Sequence, residues 1–116
     1  MYKLENDKGT VTISNDVFTW LAGDAATRCF GVKGMAAPRK ENGFVQLLRR
    51  ESMGKGVNVR MEGNALAIEL HIVVDHGLNL MAVTESIRKE VSYKVSAATG
   101  VRVERVDVYV DSVVMD

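Results

Sequence analysis

The chain has 116 residues, and its 15 Lys and Arg residues balance its 15 Asp and Glu residues to a formal net charge of zero. Hydrophobic residues make up 47% of the sequence, which excludes an intrinsically disordered chain and suits one compact domain over residues 1–116. Its apolar runs are far shorter than the roughly 20 residues that span a bilayer. The first residues lack a signal-peptide pattern, and Cys29 is the single cysteine, so a reducing cytoplasm is the expected compartment.

The charge is unevenly distributed along the chain. Residues 1–27 carry −2 and residues 61–116 carry −4, whereas residues 28–60 carry eight basic and two acidic side chains, a net +6. Within this region we single out six basic candidates for an interaction site: Arg28, Lys33, Arg39, Lys40, Arg49 and Arg50. Such a region can attract an acidic partner. Alternatively, its charges face solvent or pair with the acidic segments inside the fold.

The first predicted strand covers residues 10–13, which alternate between polar and apolar. Ser14 is expected to cap a helix whose apolar stripe is spaced by three and four residues. That stripe consists of Val17, Leu21, Ala25 and Cys29, helped by Phe18, Ala22 and Ala26. We expect Gly31 to end this helix as its left-handed cap.

Residues 32–56 carry the weakest pattern. Gly34, Pro38 and Gly43 indicate a loop-like stretch, and residues 44–48 suit a short helix docked on the core. The pattern then sharpens, because residues 57–61 and 66–74 alternate on either side of a Glu62-Gly63-Asn64 turn. This arrangement predicts a β-hairpin.

A second helix is predicted to begin after Asn79, its cap, and to end at Gly100. Its apolar face is formed by Leu80, Val83, Ile87, Val91, Val95 and Ala98. A last strand follows over residues 101–110, in which the apolar phase slips between Val103 and Val106. The slip predicts a bulge or bend at Glu104-Arg105.

The elements therefore run β-α-β-β-α-β, with a further short strand or helix before the hairpin. This order predicts an α+β two-layer sandwich in which two amphipathic helices cover one face of a mixed sheet. If the hairpin's second strand and the last strand are parallel, their crossover through the second helix should be right-handed.

The stretch HIVVDHG, residues 71–77, holds both histidines of the chain. In a strand, His71 and Asp75 lie about 13 Å apart, too far to share a metal ion. His76 points away from Asp75 if the pleat continues. We therefore expect no metal site here and interpret the stretch as the end of a strand and a turn.

Other motifs give no catalytic or cofactor site either. There is no G-x-S-x-G elbow, and Cys29 is interpreted as a small apolar residue of the first helix. Gly54-Lys55-Gly56 lacks the spacing of a P-loop and precedes a strand instead of a helix. We expect a protein without enzymatic activity or cofactor.

Gly31-Val32-Lys33-Gly34 is a G-x-x-G motif close to Arg28, Arg39 and Lys40. In K-homology domains such a loop joins two helices and clamps the backbone of RNA. RNA binding is therefore the alternative function, although Met35-Ala36-Ala37-Pro38 does not predict the second helix. The competing interpretation is a helix cap followed by a tight turn.

Several blocks, taken in order, resemble the alkaline shock protein family of Gram-positive bacteria, also called the envelope stress response family. They cover nearly the whole chain: Gly9-Thr10-Val11-Thr12-Ile13-Ser14, Gly31-Val32-Lys33-Gly34-Met35, Lys55-Gly56-Val57-Asn58-Val59, Leu66-Ala67-Ile68-Glu69-Leu70, His76-Gly77-Leu78-Asn79-Leu80 and Val106-Asp107-Val108-Tyr109-Val110. The match departs from the family at His76, where relatives usually carry an aromatic residue.

The resemblance implies a small cytoplasmic α+β domain without known catalysis. It implies a scaffold that forms homo-oligomers and docks protein partners, such as a related paralogue or a small membrane-anchored protein at the inner face of the membrane. It also implies a link to cell-envelope or general stress. The chain lacks the charged tails of longer members, so it looks closer to short housekeeping-type paralogues.

Overall fold

The structure is a computed structural model that describes residues 2–38, 45–48 and 50–115. The N-terminal half contains β1 (Tyr2–Asn6), β2 (Gly9–Ile13), α1 (Asn15–Thr27), β3 (Val32–Pro38) and β4 (Val45–Leu47). The C-terminal half contains a 3₁₀ helix (Arg50–Gly56), β5 (Val57–Glu62), β6 (Ala65–Asp75), α2 (Leu80–Thr99) and β7 (Val103–Val114).

Strand β6 lies at the centre of the main sheet. Along one edge it pairs antiparallel with β5 and, nearer its C-terminal end, with β3. Along its other edge it pairs in parallel with β7. Strand β4 extends the sheet beyond β3, whereas β1 and β2 form a separate two-stranded hairpin.

The core lies between this sheet and the two helices, which confirms the predicted α+β sandwich. Alternate residues of β6 supply its floor, each at most 1% exposed: Leu66, Ile68, Leu70, Ile72 and Val74. Helix α1 adds Phe18, Ala22 and Ala26, and helix α2 adds Ile87, Val91 and Val95, all at 0% exposure. Burial of each large side chain stabilises the fold by about 1.5–3 kcal/mol relative to leaving it in water.

The main predictions for the second half of the chain are confirmed, although Leu80 and Ala98 are exposed instead of lying on the buried face of α2, and the last strand continues to Val114. Strands β5 and β6 form the expected hairpin. The Asn79 side chain accepts a hydrogen bond from the Ala82 N–H at 3.1 Å, and Gly100 ends α2 with φ of 77°. The parallel pairing of β6 and β7 shifts register between Val103 and Arg105, where the phase slip predicted a bulge, and again between Val110 and Ser112, which the sequence did not predict.

Two expectations for the first half were wrong in detail. Helix α1 ends at Thr27, and its C-cap, Arg28, has a right-handed conformation instead of a left-handed Gly31 cap. Gly31 lies in the following turn with φ of 89°, where a Cβ would collide with the Leu78 side chain. A glycine is therefore needed at this position, because the chain that leads into α2 packs closely against it. Ser14 precedes α1 as expected, but its side chain makes no capping hydrogen bond.

The loop predicted from residue 32 onward was also wrong, and of the short strand or helix left open before the hairpin the strand is found. Residues 32–38 form β3, and residues 45–47 form β4 instead of a helix, while Phe44 lies outside the described residues. The sequence of β3 is rich in glycine and alanine, which have low strand propensity, so its pairing with β6 decides its conformation. With β1 also unpredicted, the order becomes β-β-α-β-β-β-β-α-β around the 3₁₀ helix.

Candidate interaction surface on the last strand

Strand β7 offers a long open edge. It has 12 residues and pairs with β6 along one edge, and within residues 2–38, 45–48 and 50–115 no strand pairs with its other edge. Strand β5 also lacks a second neighbour in this part of the chain, but it is only six residues long. An unpaired strand edge is a template for another chain, and short strands limit that risk. Among the described strands of the main sheet, β7 is therefore the longest exposed template.

The register of β7 determines which of its backbone groups are free. The Leu66 N–H donates to the Arg102 carbonyl at 2.9 Å, so the alternate residues of β6 that follow also point their backbone groups at β7. In a parallel ladder, the residue directly opposite such a residue points its own groups away. Those opposite residues are Val106, Val108 and Val110 and, beyond a second register shift at Asp111, Val113. Their N–H and C=O groups therefore line the open edge.

A groove of about 590 Å³ runs between this edge and helix α2. Leu80, Met81, Thr84 and Arg88 form its α2 side, and residues 105–110 form its β7 side. Two apolar side chains of this groove are left to solvent, namely Leu80 (39% exposed) and Met81 (80%). The groove continues past Arg88 toward Glu85, Lys89 and Ser92. An open backbone edge thus lies beside exposed apolar side chains and a charged rim.

The sheet face opposite the helices, here called the outer face, carries a cluster around His71. Its Nδ1 lies 2.9 Å from Asp111 Oδ2 on β7, and its Nε2 lies 3.0 Å from Glu69 Oε2 on β6. The ring stacks on Tyr109 with centroids 4.8 Å apart. Burial by itself lowers the pKa of His71, but the hydrogen bonds to Glu69 and Asp111 outweigh it and raise the pKa. We call these four residues the His71 clamp.

The His71 clamp fastens β7 to β6. Because the two carboxylates lie at opposite nitrogens of one imidazole, they do not converge on a point where a metal ion could sit. Among the described residues no group of three His, Cys, Asp or Glu side chains has metal-binding geometry. His76, the other histidine of HIVVDHG, contacts the Val114 carbonyl through Nδ1 at 3.1 Å. Both histidines thus contact β7, an arrangement that depends on the β6–β7 register and was missed in the sequence.

The six basic candidates do not form a cluster that the structure describes. Arg28 pairs with Asp24 at 3.1 Å, and Lys33 pairs with Asp75 at 3.9 Å. Both charges therefore have partners inside the fold. Arg50 begins the 3₁₀ helix, whereas Arg39, Lys40 and Arg49 lie outside the described residues.

The G-x-x-G motif does not join two helices. Gly31 lies in the turn after α1, and Gly34 belongs to strand β3. Gly34 is buried, and a Cβ there would lie 2.9 Å from Leu47 Cδ1. The motif thus serves the packing of β3 against β4, which differs from the helix–loop–helix geometry of a K-homology clamp.

Known proteins identify the family of this chain. The alkaline shock protein 23 family, described as having a cell envelope-related function, matches residues 3–115. The chain belongs to this family. The match confirms the resemblance to the alkaline shock proteins.

Its relatives include three proteins described only as uncharacterized. YloU of Bacillus subtilis is 35% identical over 96% of this chain and 93% of its own length. Spy1614 of Streptococcus pyogenes is 31% identical over 96% of this chain and 93% of its own length. A second Bacillus subtilis protein, YqhY, is 24% identical over 93% of this chain and 79% of its own length.

Solved structures of the MamM CTD share the fold. One has a TM-score of 0.52 at 18% identity and covers 85% of this chain and 98% of its own, and another has a TM-score of 0.51 at 19% identity, covering 84% and 96%. At this identity the likeness concerns the fold alone. Within the described ranges, no helix has the length and apolarity to cross a membrane.

Proposed function

We propose that this member of the alkaline shock protein family is a non-enzymatic interaction protein of cell-envelope homeostasis that acts by self-association and by docking protein partners. The observation that carries the proposal is the open edge of β7 inside the groove beside α2. An extended segment that adds to such an edge gains main-chain hydrogen bonds, and neighbouring pockets select its side chains.

The dimensions of the surface suit an added strand. Residues 103–110 of β7 line the groove, which corresponds to an extended length of about 25 Å. Met81 and Leu80 offer apolar contacts at one end, while Arg88 and Lys89 offer charge further along. Buried apolar anchors of this kind usually carry much of the energy of an interface.

The family suggests which partners are to be tested. Bacillus subtilis has two relatives of this chain, YloU and YqhY, so a related paralogue in the same cell is one candidate. A small membrane-anchored protein is the other, and it would hold this protein at the inner face of the membrane while the protein itself stays cytoplasmic. In both cases we propose that the partner docks on the β7 edge.

The test compares the wild type with Val108→Pro and Val108→Thr by sedimentation velocity up to high micromolar concentration. Proline removes the N–H that faces the open edge, whereas threonine keeps it. We expect the wild type and Val108→Thr to associate with rising concentration and folded Val108→Pro to remain monomeric. A wild type that stays monomeric and binds neither candidate partner would overturn the proposal.

A further inference from the structure

We propose that the β7 edge binds a second copy of this chain, with the two β7 strands antiparallel about a twofold axis at Val108. This inference rests on the proposed function and specifies its partner and its register. Two features of β7 favour this alignment, namely the direction of its backbone groups and the charges of its outer face, and the pairing would also cover the apolar groove beside α2.

The free backbone groups of β7 support the alignment at Val108. Only Val106, Val108 and Val110 direct their N–H and C=O groups to the open edge within residues 105–110. With the axis at Val108, Val108 faces Val108 of the second copy, and Val106 faces Val110 of the second copy. Each of these residues then donates and accepts one hydrogen bond, since facing residues exchange both bonds at such positions of an antiparallel pair.

Charge excludes the neighbouring alignments. An axis at Asp107 sets two copies of that carboxylate directly opposite each other, and an axis at Tyr109 sets Asp107 opposite Asp111. Opposed like charges destabilise a cross-strand pair. With the axis at Val106 or Val110, fewer residues with free backbone groups face one another. Fewer hydrogen bonds can then form between the two copies. The Val108 alignment avoids all of these faults.

The same alignment gives favourable pairs on the outer face. Arg105 faces Asp111 of the second copy, which lies at the second register shift of β7 and also binds His71 of its own chain, and Asp107 faces Tyr109 of the second copy. Opposite charges across a strand pair, like aromatic pairs, contribute favourably to pairing. Arg105 is exposed and bonded to Asp107 at 2.9 Å on its own strand, so it lies at the rim of the proposed contact. The surface of β7 is therefore complementary to itself.

Apolar contacts complete the interface on the helix side. The groove that Val106, Val108 and Val110 share with Leu80 and Met81 would lie along the seam in both copies. Met81 is 80% exposed in the single chain. Pairing would bury it beside the valines of the second copy, and burial of apolar surface favours association.

Disulfide trapping tests the register. In a Cys29→Ala background, Val108→Cys should cross-link to itself under mild oxidation, because Cα atoms of facing residues lie about 5.5 Å apart, within disulfide reach. Val106→Cys is the matched control, since its two copies would lie about 13 Å apart along the strands. A mixture of Val106→Cys and Val110→Cys proteins should form the mixed cross-link, which supports the register with a second pair of positions.

The outcomes separate this inference from the proposed function. Efficient Val108→Cys dimers with little self-linking of Val106→Cys support the register, provided that thermal unfolding shows all variants folded. Self-linking of Val106→Cys, or association without any cross-link at these positions, overturns the register while self-association stands. A wild type that is monomeric in sedimentation, with no cross-link in any variant, overturns both.

Discussion

Strands β5 and β7 lie on opposite sides of β6 and show two ways of ending a sheet. Strand β5 has six residues, two of which, Val57 and Val59, are buried, while polar Asn58 and Arg60 alternate with them in the open. Strand β7 has 12 residues, is fastened by the His71 clamp, and keeps its open edge beside an apolar groove. Edges that only need to stay soluble are usually short or charged. The long edge of β7 is therefore the one shaped for contact.

Leu70→Ala should have the largest effect on folding, because this residue joins both flanking strands. Leu70 is 0% exposed and faces Val57 on one side and Val108 on the other. Truncating a leucine in a packed core costs about 2–5 kcal/mol of unfolding free energy. Urea denaturation measures the loss, and a value below about 1 kcal/mol would show that β6 is not the common support of both edges.

Gly56→Ala should lower the free energy of unfolding by about 1–3 kcal/mol, because the added methyl group overpacks the start of β5. A Cβ at Gly56 would lie 2.8 Å from the Ala36 backbone oxygen, and backbone has little room to move. Gly54→Ala is the matched control in the same 3₁₀ helix, since its Cβ would meet only the Thr19 side chain at 3.4 Å. Equal thermal stability of the two variants would contradict the close approach of the 3₁₀ helix to β3.

His71→Gln should lower the free energy of unfolding by about 1–2 kcal/mol near pH 6 by loosening β7. The reason is that the two hydrogen bonds to carboxylates are lost or reduced to one. The pKa of His71 is raised in the folded state, so the stabilisation is fully present below the unfolded value of about 6.5. It is lost as pH rises through the higher folded value.

Urea denaturation across this pH range measures the difference between wild type and the His71→Gln variant. We expect the difference to be larger at acidic than at alkaline pH. His76→Gln is the control, because His76 contacts a carbonyl of β7 and is exposed. A difference that grows with rising pH would contradict the clamp.

The smallest effects on folding should come from the exposed arginines of the two edge strands. Arg60 pairs with Glu62 at 3.2 Å on β5, and Arg105 pairs with Asp107 at 2.9 Å on β7. Surface ion pairs contribute little to stability, so alanine at either site should leave thermal unfolding almost unchanged. Sedimentation should separate them, since Arg105→Ala weakens association and Arg60→Ala does not. Equal association of both variants would argue against Asp111 of the second copy as the partner of Arg105.

The second half of the fold could be predicted because local signals and tertiary structure agree there. Strict alternation marks β5 and β6, Asn79 and Gly100 mark the ends of α2, and a phase slip marks the bulge in β7. The first half could not be predicted, because strand pairing and not the local sequence determines its structure. Residues 32–38 have the composition of a loop and become a strand only by lying against β6.

The candidate surface could be predicted only in part. Valine alternation indicates that residues 106–110 form a strand suited to pairing, but which edge stays open depends on the order of strands in the sheet. The His71 clamp joins residues 40 positions apart, and only the parallel register brings Asp111 to His71. The basic residues drew attention by composition, yet Arg28 and Lys33 find their partners within the fold.

Amide hydrogen exchange of β7, measured by NMR at rising protein concentration, tests the central claim most directly. The Val108 N–H faces the open edge, whereas the Tyr109 N–H faces β6. We predict that exchange at Val108 slows as concentration rises and that exchange at Tyr109 is slow throughout. Fast exchange at Val108 under conditions where the protein is associated would contradict the pairing of β7 with a second copy.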